Sequence, residues 1–163
     1  MIQHAREFAE AGLRFIFDPG QGLPMFDGPE LLTFFDQATV VTVNDYESKL
    51  IEARTGLSAM QLAERVEAMV ITLGGEGSLV LTKNQRIEVP AAKPARLADP
   101  TGCGDAYRSG LLYGLEQGMD WQTTARIASL MGAIKIESAG TQNHRFEREA
   151  FNTRFADNFG YRF

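Results

Sequence analysis

The stretch Asp99-Pro100-Thr101-Gly102-Cys103-Gly104-Asp105 concentrates residue types able to hold an anion and move a proton. Pro100 ends any strand that precedes it. Gly102 and Gly104 leave the backbone bare, so that a ligand can approach it closely. The apolar run from Ala106 to Leu112 then starts a helix. The first N–H groups of such a helix lack intrahelical partners and its dipole makes that end positive, which suits an anion and phosphate above all. Asp105 stands beside this end as a carboxylate that ought to repel the anion. The helix terminus favours its ionised form, and a charged carboxylate next to a phosphate cradle suits one task. It can take a hydroxyl proton while that hydroxyl attacks a phosphoryl group. The same spacing also describes a glycine-rich turn with Asp as an ordinary first-turn residue, and spacing alone leaves both readings open.

Two further clusters carry chemistry. Asn44-x-x-Glu47 has the spacing and residue types of a helix capping box. Thr72-Leu73-Gly74-Gly75-Glu76-Gly77 reads as a strand end running into glycines, either a seat for a nucleotide or a simple hairpin turn. No Walker A sequence and no protein-kinase motif set is present, and Gly20-x-Gly22 lacks the third glycine of a dinucleotide fingerprint. Cys103, at a helix N-terminus, reads as a reactive thiol or as a small residue in an alanine-sized slot.

Asp99-Pro-Thr-Gly-Cys-Gly-Asp105 resembles the C-terminal signature of the ribokinase-type (PfkB) sugar and nucleoside kinases, Asp-x-Thr-Gly-Ala/Cys-Gly-Asp. The resemblance implies Asp105 as catalytic base and the backbone of Gly102, Cys103 and Gly104 as an anion hole for the transferred phosphoryl group. Asn44 and Glu47 match the family's Asn-x-x-Glu motif, which implies that Glu47 holds Mg²⁺ through water and that Asn44 orients phosphates. Thr72, Gly74 and Gly77 fall on the family's nucleotide-binding Thr-Leu-Gly-x-x-Gly segment. Ser129 falls where some members place an Asn near the adenine. Asp99 and Thr101 match positions that hold a monovalent cation such as K⁺, with backbone carbonyls from Lys135, Ser138 and Gly140. Without the resemblance, Asp99 reads as the cap of a turn. Gly140-Thr141-Gln142-Asn143, with Asp18-Pro19-Gly20-Gln21, is most similar to bacterial adenosine-kinase-like members.

The activity this resemblance implies is ATP-dependent phosphorylation of a sugar-type hydroxyl. Adenosine 5′-OH is the first choice, and a ribose or fructose type of sugar is the alternative. The implied fold is α/β, a ribokinase-like three-layer α/β/α arrangement with a mostly parallel central sheet. The likeness covers essentially the whole chain but only the second half of the family's protein. Residues 1–163 then form the C-terminal, nucleotide-binding and catalytic-base part of a single domain, without the N-terminal part and lid. On that ground a nucleotide-binding fragment without activity is the other reading. An open sheet edge is an association hazard, so dimerisation or pairing with the missing half is expected.

The elements that must position these residues are legible as hydrophobic periodicity and punctuation. Residues 3–12 read as a helix closed by Gly12. Leu13–Phe17, Thr39–Val43 and Ala68–Leu73 read as buried parallel strands, each ending in a polar, turn-forming cluster. In open α/β sheets ligands sit outside the carboxyl ends of strands, so these ends and the helix near Asp105 are expected to face one crevice. Pro29–Phe35 suits a helix with Pro in its first turn. Asn44 starts another that Gly56 stops near Thr55, and Ser58 caps one to about Glu67. Ser78–Thr82 and Arg86–Val89 add an antiparallel meander. Helices follow at about 103–117, 121–138 and 147–158, the last with Phe151, Phe155 and Phe159 on one core-facing stripe.

The bulk figures exclude several classes. The chain has 163 residues, 44% hydrophobic and 23% charged, enough for one domain with a real core. A net charge of −5 without a Lys/Arg block argues against a nucleic-acid surface and for small-molecule work. No apolar run approaches the roughly 20 residues of a membrane helix, and the polar N-terminus is no signal peptide. One cysteine allows no internal disulfide, which points to the cytoplasm.

Overall fold

Two runs with almost no polar interruption build the centre of the sheet. Val40–Asn44 (β2) and Ala68–Thr72 (β3) are buried along nearly their whole length, as parallel strands covered on both faces must be. They pair in parallel from Val40 opposite Ala68 to Asn44 opposite Thr72, and Ile16–Phe17 (β1) pairs in parallel with the start of β2. The computed structural model describes residues Met1–Phe163. Ser78–Leu81 (β4) and Arg86–Val89 (β5) complete a five-stranded sheet in the order β1-β2-β3-β4-β5. The chain divides into two compact units, residues 1–73 with 79–87, and residues 74–78 with 88–163.

In the first unit, helices Ile2–Glu10 (α1), Gly28–Gln37 (α2), Asp45–Thr55 (α3) and Ala59–Ala63 (α4) accompany the strands. Three of them start at capping boxes, Asp27 with Glu30, Asn44 with Glu47 and Ser58 with Gln61. Each box satisfies two amides that a helix end leaves orphaned. Leu31, Phe34, Phe35, Ile51 and Leu62 pack with Val41 and Met69 in one apolar cluster. Phe34 stacks on Phe17 at 4.1 Å between ring centroids. Two expected elements are shorter than their apolar runs. The first strand keeps only Ile16 and Phe17, because the Leu13 amide still closes the preceding helix on the Phe8 carbonyl. The Ser58-capped helix stops at Ala63, where the Leu62 carbonyl takes the Arg65 amide in a tight turn.

The second unit holds helices Cys103–Glu116 (α5), Trp121–Ile136 (α6) and Arg148–Phe159 (α7). α5 and α6 approach closely where α5 has no side chains. A Cβ on Gly110 would lie 2.5 Å from the Ala128 Cα, and one on Gly114 would lie 2.5 Å from Thr124 Oγ1. Phe151 and Phe155 bury themselves against Ile127, Leu130, Ala133 and Ile134, with Phe159 packed on the same cluster. The irregular strip 90–99 finds its partners one by one. Amides of Ala92, Lys93 and Ala95 donate to side chains of Ser129, Asn158 and Glu137. Those of Ala98 and Asp99 donate to the Ile136 carbonyl. α6 ends two residues before the expected 138, because the Ser138 amide turns to the Lys135 carbonyl instead of continuing the α-helical ladder.

Candidate active site

α5 is preceded by its N-cap, Gly102, which sits at φ +84°, a left-handed conformation that glycine adopts without strain. Its missing side chain also leaves room for Thr141, whose Cα, Cβ and carbonyl oxygen would lie 3.2 Å from a Cβ there. The Ala106 amide donates to the Gly102 carbonyl at 3.0 Å and so closes the first helical turn. The amides of Gly102, Gly104 and Asp105 consequently have no partner within the helix. The Cys103 amide departs from the expected anion hole, since it donates back to the Pro100 carbonyl at 3.1 Å. Asp105 projects outward, its side chain 73% exposed, and pairs with Arg108 one turn along the helix. Burial pushes the Cys103 thiol up from its ordinary range, with Lys135 opposing that and Asp99 adding to it. A raised thiol fits the reading of a small filler better than that of a reactive thiolate.

Behind the glycine loop lies a crossed pair of ties. The Asp99 carboxylate accepts the Thr101 amide at 2.9 Å and the Gly140 amide at 2.8 Å. The Thr101 amide and hydroxyl, and then the Gly140 amide, hold this carboxyl at about 2. Lys135, fully buried in the last turn of α6, donates from Nζ to the Asp99 carbonyl at 2.7 Å and the Ser138 carbonyl at 3.3 Å. Its own carbonyl takes the Ser138 amide at 3.1 Å. The expected contribution of a Lys135 carbonyl is thus replaced by that of its side chain. Asp99, Thr101, Lys135, Ser138 and Gly140 are linked to one another by these hydrogen bonds.

In the first unit Asn44 and Glu47 form both halves of their capping box. The Glu47 amide donates to Asn44 Oδ1, and the Asn44 amide donates to Glu47 Oε2, each at 2.8 Å. Thr72 sits opposite Asn44 in the β2–β3 register and donates to the Val43 carbonyl at 3.4 Å. In the second unit Gly74 starts a short 3₁₀ turn, Gly74–Glu76, and is open to solvent. Gly77 is buried for a packing reason: a Cβ there would lie 2.0 Å from the Val89 carbonyl oxygen. Ser129, expected near the adenine, has its hydroxyl engaged by main chain. Its buried hydroxyl accepts the Ala92 amide at 2.8 Å and donates to the Pro90 carbonyl at 3.3 Å, so it ties down strip 90–99. No group of three or more His, Cys, Asp or Glu side chains is arranged to hold a metal. No helix is long and apolar enough to cross a membrane.

Residues 1–147 match the pfkB family of carbohydrate kinases. The chain belongs to this family. A nucleoside kinase of Methanocaldococcus jannaschii is 32% identical over 128 residues, covering 78% of this chain and 42% of the relative. The structure of a Burkholderia thailandensis nucleoside kinase in complex with inosine is 50% identical with a TM-score of 0.97, covering 99% of this chain and 53% of that one. An Arabidopsis thaliana ribokinase complexed with ribose and ATP shares the fold, at 17% identity and a TM-score of 0.80. The chain spans about half the length of the relatives it matches.

Residues that motif reading passed over lie beside the candidate site. Arg108 is one, visible afterwards as an Asp–Arg pair at i,i+3 on one helix face. The sequence marks Thr141 only as part of the stretch Gly140–Asn143; its packing on Gly102 leaves no signal, because the two are 39 positions apart and glycine does not announce what fills the space beside it. Glu137 belongs to the support. Partial burial opposes its charge, but Arg154, the Ala95 amide and Arg96 outweigh that and hold its carboxyl below the usual range. Arg154 grips both its oxygens, at 2.7 and 3.1 Å.

Proposed function

We propose that this chain is the phosphoryl-transfer part of an ATP-dependent nucleoside kinase. The reading is carried by one observation: an exposed carboxylate, Asp105, in the first turn of a helix whose leading amides have no partner within the helix. Asp105 takes the proton of the acceptor hydroxyl as its oxygen forms a bond to the γ-phosphorus. The bond from that phosphorus to the β,γ-bridging oxygen breaks, and ADP leaves. The amides of Gly102 and Gly104 face the charge that develops on the transferred group, where fixed donors act most strongly. Arg108 holds the Asp105 carboxylate in place between turnovers.

Thr72 and Gly74 are assigned to nucleotide contact, the glycine because its backbone is bare and accessible. Asn44 and Glu47 are assigned to the phosphate end. The capping box uses Glu47 Oε2 and leaves Oε1 for a water of a hydrated magnesium ion, a cation that often takes few protein ligands. That ion, when bound with ATP, neutralises phosphate charge. For the acceptor we propose a purine nucleoside, adenosine first and inosine as its comparison, because a Burkholderia thailandensis relative at 50% identity holds inosine.

The test is phosphorylation of adenosine, inosine, ribose and fructose with ATP, by the 163-residue chain alone and joined to the complementary half of a relative. Asp105→Asn is expected to lower turnover by roughly 10²–10⁴-fold with nucleotide affinity retained. Near-full turnover of that variant refutes the mechanism. The chain's coverage of about half its relatives supports a second reading, a nucleotide-binding part inactive alone. Calorimetry separates the two: binding of ATP without nucleoside binding or turnover, in both forms of the protein, favours the second.

A further inference from the structure

The group placed at the candidate cation site is itself a cation. Lys135 is fully buried and directs Nζ at two main-chain carbonyls, Asp99 at 2.7 Å and Ser138 at 3.3 Å. These belong to the two loops that flank the start of α5, residues 98–102 and 138–141. Three more of the oxygens named for an ion are also engaged. Both Asp99 carboxylate oxygens hold amides, of Thr101 and Gly140, and the Lys135 carbonyl holds the Ser138 amide. A monovalent metal ion needs several oxygens converging on one point, and here the two that converge do so on an ammonium. The residues present therefore do not fit a bound K⁺.

We propose that the Lys135 ammonium is a built-in replacement for a monovalent metal ion, a positioning residue that fixes the glycine loop through the Asp99 and Ser138 carbonyls. The ammonium draws those carbonyls inward while the Asp99 carboxylate draws the facing amides of Thr101 and Gly140. The two opposite charges lock the loops in register without an ion from solution. Thr141, next to Gly140, is thereby held against Gly102. The part concerning turnover rests on the kinase reading, and the part concerning ion binding does not.

The experiment compares K⁺, NH₄⁺ and tetramethylammonium chlorides at equal ionic strength, reading thermal unfolding of the chain and turnover of its active form. The wild type is expected to be indifferent, with turnover in K⁺ within about twofold of that in tetramethylammonium, because no ion-binding free energy is linked to folding. Lys135→Ala is expected to lose midpoint and turnover in tetramethylammonium and to regain part of both in K⁺ or NH₄⁺. A purely structural role would not produce that ion-specific rescue. A wild-type midpoint or turnover that rises severalfold more with K⁺ than with tetramethylammonium overturns the proposal. So does a Lys135→Ala chain that matches the wild type in every salt. If the variant folds in no salt, the wild-type comparison decides alone. Absence of wild-type turnover in every salt removes the kinase reading and leaves the unfolding midpoints to decide the ion question.

Discussion

Replacing Gly110 by Ala tests whether the close approach of α5 and α6 sets the geometry at both of their site-bearing ends. α5 carries Gly102–Asp105 at its start and α6 carries Lys135 in its last turn. A methyl on Gly110 would lie 2.5 Å from Ala128 Cα and 2.8 Å from Ala128 N. Both are backbone atoms that cannot rotate away, so one helix has to shift by roughly 1 Å to restore ordinary contact. Overpacking of this kind costs roughly 1–3 kcal/mol, and backbone contact places it toward the upper end. Alanine recovers about 1 kcal/mol over glycine inside a helix. The net expectation is a loss of about 2 kcal/mol, or roughly 4–8 °C in unfolding midpoint at this chain length. Gly132, inside α6, is the matched control. Its nearest neighbour to an added Cβ is the Cys103 carbonyl oxygen at 3.7 Å, an ordinary contact, so Gly132→Ala is expected to gain about 0.5–1 kcal/mol. Urea and thermal denaturation followed by circular dichroism read both variants. If Gly110→Ala is as stable as the wild type, or if the two variants shift in the same direction, the packing argument is wrong.

Acid behaviour follows from Asp99. Its carboxyl, held at about 2, lies below the ~3.9 of an unperturbed aspartate. A depressed carboxyl contributes stability that is complete above its ordinary value and is lost as pH falls from there through about 2. Asp99→Asn is therefore expected to unfold at a lower temperature than the wild type near neutral pH, with the gap shrinking as pH falls from about 4 toward about 2; a gap independent of pH contradicts the assignment. For Cys103, burial raises the thiol, so alkylation by iodoacetamide near neutral pH is expected to be slower than that of a free cysteine peptide. A faster reaction would restore the reactive-thiol reading.

A residue's role is legible in the sequence where that role is local. Asn44 and Glu47 form a capping box because the two sides of that device are three residues apart and need nothing else. Gly102 was legible for the same reason, since a helix start after a left-handed residue is a local event. For Gly77 and Ser129 the family resemblance implies nucleotide contact, and the sequence is silent on their packing. Gly77 is required by the main chain at Val89–Ala91, and the Ser129 hydroxyl is consumed by main chain 37 and 39 positions away. Such partners depend on which segments the fold brings together, and no spacing rule reports them. Lys135 shows the limit most sharply. A lysine in the last turn of a helix normally complements the helix dipole from the surface, and its carbonyl and side chain are equally available in the sequence to any nearby site. What decides between them is burial. Once α5 and α6 close on each other through glycines, the end of α6 has little solvent, and an ammonium there must find acceptors among the carbonyls of loops 98–102 and 138–141. The packing that Gly110 permits and the charge that Lys135 supplies are consequently one requirement, and a chain that kept the glycine loop but lost either would be expected to hold its amides out of register.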